Sequence, residues 1–118
     1  MQACIIIFTL LALLFRVQSA PLVARGSESG QGTYYEVGLG SCGKTNTNSQ
    51  MVAALSGSIM KSSYCGKSIT VKGPNGSVSL KVVDTCPGCK KGDVDMSAAA
   101  FKKIASLSDG RVPITWSL

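Results

Sequence analysis

Apolar and polar side chains alternate along much of the second half of the chain, and the alternation predicts strands. Ile69-Thr70-Val71 and Val78-Ser79-Leu80-Lys81-Val82 both have the period of two that a half-buried strand requires. Between them lies Gly73-Pro74-Asn75-Gly76, whose Asn-Gly step predicts a hairpin with Gly76 at positive φ. Val112, Ile114 and Trp116 alternate on a last strand, which places Trp116 in the core. Thr33-Tyr34-Tyr35-Glu36-Val37 is β-branched and aromatic, and reads as a first strand. Met51 to Leu55 is apolar but too short to separate a strand from one helical turn. One segment changes period. Ala98, Phe101, Ile104 and Ala105 form a helical apolar face, with Lys102 and Lys103 opposite. Ser97 suits its N-cap, and Asp109-Gly110 is expected to end the helix.

The first residues follow a different pattern. Ala3 to Phe15 is apolar except for Thr9 and spans 13 residues, against about 20 for a membrane-crossing helix. Small or apolar residues at Val17 and Ser19 follow, so residues 1–20 read as a signal peptide cut near Ser19 or Ala20. Residues 21–31 are rich in glycine and serine and read as a flexible lead-in. Valine should therefore be better tolerated at Gly30 than at Gly76. Residues 32–118 are then one small domain, secreted, outside the membrane and monomeric.

Charge and composition narrow the function. The whole chain has a net charge of +6, and Arg16 leaves with the signal peptide. The lysines are scattered, which suits attraction to acidic polymers rather than to nucleic acid, where a basic stripe with interleaved aromatics is expected. The chain has no histidine, which excludes a Ser-His-Asp or Cys-His nucleophile and an imidazole-bound metal. No cofactor motif is present. Cys4 falls in the signal, leaving Cys42, Cys65, Cys86 and Cys89. In an oxidising compartment these read as structural disulfides with three possible pairings. The Pro87-Gly88 turn suits a small Cys86–Cys89 loop. A redox-active Cys-x-x-Cys and a four-thiolate zinc site are the competing readings.

Candidate chemistry gathers in Val82 to Met96, VVDTCPGCKKGDVDM. Asp84 and Asp95 are the attractive carboxylate pair. Glycoside hydrolysis needs two such groups flanking the scissile bond, about 5–9.5 Å apart. Tyr35 alternates with Thr33 on one strand face and is the aromatic best placed to meet a sugar ring, ahead of Tyr34 and Tyr64. Asn75-Gly76-Ser77 is a glycosylation sequon at the hairpin tip.

GTYYEVGLGSCG (32–43), VAALS (52–56), YCGKSITV (64–71), VVDTCPGC, DVDMSAAAFKKIA and GRVPITW occur in that order. Together they resemble the expansin, barwin and rare-lipoprotein-A-like (RlpA-like) superfamily, and in particular its small secreted loosenin-like and plant natriuretic-peptide-like members. The resemblance implies a mostly β fold, a six-stranded double-psi β-barrel with one or two short helices. It implies a polysaccharide groove lined by Thr33, Asp84 and Asp95, with Asp95 matching the proton donor of related endoglucanases. It favours a Cys42–Cys65 disulfide, which leaves Cys86 for Cys89. Two positions depart from the family: Asp93 replaces a histidine, and Cys86 stands where bacterial members carry a tyrosine. The second, carbohydrate-binding domain of full expansins is missing, and Glu36, the carboxylate nearest the expected catalytic base, is out of register. The expected function is binding of cell-wall polysaccharide (glucan, chitin or peptidoglycan) and loosening without hydrolysis. Weak endoglucanase or lytic transglycosylase activity is one alternative, and a protein-interaction module such as a protease inhibitor or secreted effector is another.

Overall fold

The computed structural model describes residues 27–118, so the expected signal peptide and residues 21–26 lie outside the described residues. Alternation in the sequence becomes six strands: β1 (Ser27–Tyr34), β2 (Val52–Ser56), β3 (Ser68–Gly73), β4 (Gly76–Cys86), β5 (Val94–Met96) and β6 (Val112–Ser117). They close into a barrel in the order β1-β5-β2-β4-β3-β6. The β1/β5 and β2/β4 pairs are parallel, and the other four are antiparallel. This is the six-stranded double-psi β-barrel that the motifs imply.

The inward faces fill the barrel. Ile69, Val71, Leu80, Val82, Ile114 and Trp116, all on predicted alternating positions, are buried in one cluster with Leu55, Met96 and Phe101. Each such side chain contributes about 1.5–3 kcal/mol by leaving water. Trp116 keeps its one polar atom satisfied, since Nε1 donates to the Gly92 carbonyl at 2.9 Å. Met51 to Leu55 resolves as strand β2, buried along its whole length between β4 and β5.

Helix α1 (Ala98–Ile104) closes one part of the barrel. Ser97 caps it as expected: its Oγ accepts from the Ala100 amide at 3.2 Å and donates to the Gln50 carbonyl. The helix stops at Ile104 rather than at Gly110. Ala105 is extended, and a separate 3-10 turn over Leu107–Asp109, closed by a Ser106–Asp109 capping box, precedes Gly110. The cause is tertiary: the Asn75 amide from the β3–β4 turn donates to the Ile104 carbonyl at 2.9 Å. That partner removes the need for another helical turn.

The β3–β4 hairpin forms with Gly76 at φ 148°. Pro74 and Asn75 are its two central residues, and no described non-glycine residue has positive φ, so Asn75 is not in the left-handed region. The exposed Asn75 stands at the tip.

The lead-in ends sooner than the composition indicates. Ser27 to Gly32 already pairs with β6, from Ser27↔Ser117 to Gly32↔Val112. Gly30 is there for space, not for flexibility. A Cβ on it would lie 2.2 Å from the Gly92 carbonyl oxygen. The expected tolerance order of Gly30 and Gly76 is therefore reversed.

Both disulfides of the expected pairing are present, Cys42–Cys65 and Cys86–Cys89, with Cα separations of 5.7 and 5.4 Å. Their sulfurs are not available as zinc-binding thiolates, so the four-thiolate alternative falls. The two loops span 23 and 3 residues. Loop-closure entropy then gives the first roughly 3 kcal/mol and the second roughly 2 kcal/mol. Urea denaturation of the Cys42→Ala/Cys65→Ala and Cys86→Ala/Cys89→Ala proteins should show the larger loss in the first. A larger loss in the second would mean that the short loop holds more than its own closure.

Candidate functional site

Four neighbouring strands bring the predicted residues onto one line. Thr33 on β1 is level with Asp95 on β5, Asp95 with Ala54 on β2, and Ala54 with Asp84 on β4. Level residues on neighbouring strands share a face of the sheet. Here it is the outer face, because Ala53, Leu55, Val94 and Met96 on either side of the line belong to the core. Asp84 reaches this face through a bulge. Ala53 pairs with Val82 but Ala54 pairs with Asp84, so Val83 is the extra residue. In a regular strand with no bulge, Val82 and Asp84 would point the same way, into the barrel. Ala54 sits between the carboxylates as a small buried floor. Asp84 and Asp95 thus lie two strand spacings apart, ~10 Å between backbones.

Thr33 Oγ1 donates to Asp95 Oδ1 at 2.9 Å. Asp84 Oδ1 accepts from the amides of Ser41 and Thr85 at 2.8 and 2.7 Å, which orients it. Tyr35 follows β1 on the same side, with its amide on the Met96 carbonyl at 3.0 Å. Its Oη is buried and makes no hydrogen bond to the described protein. Burial, then the charges of Asp84 and Asp95, push the Tyr35 phenol up to about 12. It remains a neutral donor at any physiological pH.

Burial is also the main reason that the Asp95 carboxyl lies above its ordinary value. The Thr33 hydrogen bond and the Arg111 charge pull it down, and the Asp84 charge adds to the rise. The Cys86–Cys89 disulfide forms part of these surroundings. Its sulfurs and an Asp95 oxygen lie within 4.8 Å of one another. Ser56 holds that small loop, since its Oγ donates to the Cys89 carbonyl at 2.9 Å.

A raised pKa has a definite sign for stability. The folded protein holds the Asp95 proton to higher pH than the unfolded chain does. This group's contribution therefore falls as pH rises through the ordinary carboxylate value toward the raised one, and is level above it. Melting curves of the wild type and Asp95→Asn from about pH 3 to about pH 7 check this. The asparagine protein should gain on the wild type as pH rises. A difference that does not change with pH would mean that Asp95 titrates as in the unfolded chain.

Other candidates have different work. Asp93, which replaces the family histidine, is buried and structural: it accepts from the amides of Gln31 at 2.9 Å and Lys90 at 3.0 Å. Glu36 is exposed and accepts from Asn48 Nδ2 at 3.0 Å. Tyr34 packs on Phe101, with ring centroids 4.9 Å apart, and donates to the Leu107 carbonyl. Tyr64 lies under Lys61, whose Nζ is 5.6 Å from the ring centroid. The sequence reading missed Ala54, Ser41 and Arg111. Ala54 and Arg111 stand inside quoted motifs, yet nothing local marks them. Ser41 acts through its backbone, which leaves no residue-type signal.

The closed six-stranded double-psi barrel defines an expansin-like barrel protein. The family model described as lytic transglycolase, a double-psi β-barrel model, matches residues 27–116, and the chain belongs to that family. It is 39% identical over 89 residues to "Allergen Asp f 7" of Aspergillus fumigatus, covering 70% of this chain and 33% of that protein. It is 34% identical over 98 residues to a papain inhibitor of Streptomyces mobaraensis, covering 75% of this chain and 68% of that one. The solved Streptomyces papain inhibitor superimposes with a TM-score of 0.71 at 31% identity, over 77% of this chain and 92% of that chain. An aspartate-to-asparagine mutant of a Clavibacter michiganensis expansin in complex with cellohexaose superimposes with a TM-score of 0.71 at 28% identity, over 76% of this chain and 48% of that chain. The chain thus spans about a third of the allergen and about half of the expansin.

Proposed function

We propose that the Thr33–Asp95–Ala54–Asp84 row, with Tyr35 at its end, binds a cell-wall polysaccharide and loosens it without cutting it. The observation that carries this reading is the row itself: two oriented carboxylates on one outer face, over a floor as small as alanine, beside a Tyr35 phenol whose buried oxygen has no partner among the described residues. Carboxylates accept from sugar hydroxyls, and Tyr35 can both stack and donate. The expansin bound to cellohexaose supports a glucan-like ligand by similarity. Hydrolysis is the weaker reading. Asp95 has the environment of an acid, but Asp84 spends one oxygen on two amides and Glu36 is occupied with Asn48. The N-terminal apolar run and the two disulfides support secretion, and the exposed Asn75 supports glycosylation there.

A pull-down on cellulose, chitin and peptidoglycan, with an end-group assay on the supernatant, tests the proposal. Retention on one polymer without new sugar ends is expected. New ends mean an enzyme, and no retention on any polymer rejects the groove. A second reading has its own support: the similarity to the papain inhibitor covers 92% of that solved chain. Under it the same face docks on a protein, and titration against papain activity shows inhibition in place of polymer binding.

A further inference from the structure

A cavity of about 410 Å³ opens between the 42–46 loop, the start of β2 and the middle of β4. None of Thr33, Tyr35, Asp84 or Asp95 lines it. The loop separates the two sites: the Ser41 amide turns to Asp84, while the next residue, Cys42, walls the cavity. This volume is within the usual range for a small-molecule site, about 300–1,000 Å³.

Its chemistry is selective. Lys44 and Lys81 line it and are exposed, and no carboxylate is among its described lining residues. The half-buried Met51 supplies an apolar wall. Asn46 also lines it, and Asn46 Oδ1 is buried with no hydrogen-bond partner among the described residues. The amide orientation is fixed by its neighbours. Asn46 Nδ2 donates to Gln50 Oε1 at 3.1 Å, and that oxygen also accepts from the Thr47 amide at 2.9 Å. Turning the amide over would set two acceptors face to face. The buried oxygen therefore needs a donor from elsewhere.

We propose that this cavity binds a uronic acid unit of an acidic polysaccharide. A uronate brings a carboxylate for the lysines, hydroxyl donors for Asn46 Oδ1 and an apolar ring face for Met51. A neutral sugar lacks the charge, and an acidic amino-acid side chain lacks the hydroxyl. The site is independent of the Asp84–Asp95 row, so either can fail without the other.

Titration of the ¹⁵N-labelled protein with trigalacturonate tests this. Amides of Asn46, Gly66 and Val82 should shift and saturate, whereas cellotriose and glutamate should leave them in place. Lys44→Gln with Lys81→Gln should weaken binding about tenfold or more. Asn46→Leu should weaken it with both lysines intact, and if that variant melts early the lysine pair decides. Asp95→Asn should leave the titration unchanged. Shifts that spread over other lysines without saturating, an equal response to cellotriose or glutamate, or unchanged affinity in the lysine variant would overturn the proposal.

Discussion

Asp95→Asn should fold like the wild type and lose polymer loosening about tenfold or more, the effect of losing a charged hydrogen-bond partner worth roughly 1.5–3 kcal/mol. The substitution keeps the Thr33 contact, because an amide oxygen accepts from Thr33 Oγ1 as the carboxylate does at 2.9 Å. It also removes a charge that burial disfavours. Stability at neutral pH should therefore hold or rise, which separates a binding role from a structural one. Thermal melts run beside a wall-extension or polymer-swelling assay read both quantities. Full activity with unchanged melting would remove Asp95 from the groove and shift weight to the protein-docking reading. Activity lost only in proportion to folding would make Asp95 a structural tie.

Gly30→Val should destabilise the barrel by roughly 3 kcal/mol or more, combining overpacking with broken buried hydrogen bonds. The Gly92 carbonyl that its Cβ would strike is the acceptor for Trp116 Nε1. Moving Gly92 also disturbs Asp93, which holds the Gln31 amide. Valine at Gly76 meets a milder obstacle, a φ of 148° with the Lys103 carbonyl 3.4 Å away, and costs about 1–3 kcal/mol. Gly88→Ala is the control, with nothing among the described residues within 4 Å of the new Cβ. Urea midpoints should rank Gly88→Ala, Gly76→Val and Gly30→Val in order of falling stability. A wild-type midpoint for Gly30→Val would show that the barrel begins after residue 30.

The local pattern was a good guide wherever one side of an element is wet. β3, β4 and β6 alternate because water lies on one side and the core on the other, and their buried positions follow the alternation. The Ser97 cap was legible because its partner, the Ala100 amide, is three residues away. The start of β1 was not legible. Its glycines look like a linker, yet they are small because Gly92 and Ile114 press against them. The end of α1 was missed for a similar reason, since the Asn75 amide that terminates it comes from another hairpin.

The candidate site divides in the same way. Residue types and the ordered motifs singled out Thr33, Tyr35, Asp84 and Asp95, because carboxylates and aromatics carry their chemistry wherever they stand. Alternation alone would put Val82 and Asp84 on the same face. Only the register against β2 shows that Val83 is bulged and Asp84 turned outward. The alanine floor, the Ser41 amide and the nearness of Arg111 to Asp95 are likewise long-range facts. A chain determines by itself what each position can do and which local period it follows. Which carboxylates face one another depends on strand pairing across tens of residues, and that is decided only when the barrel closes.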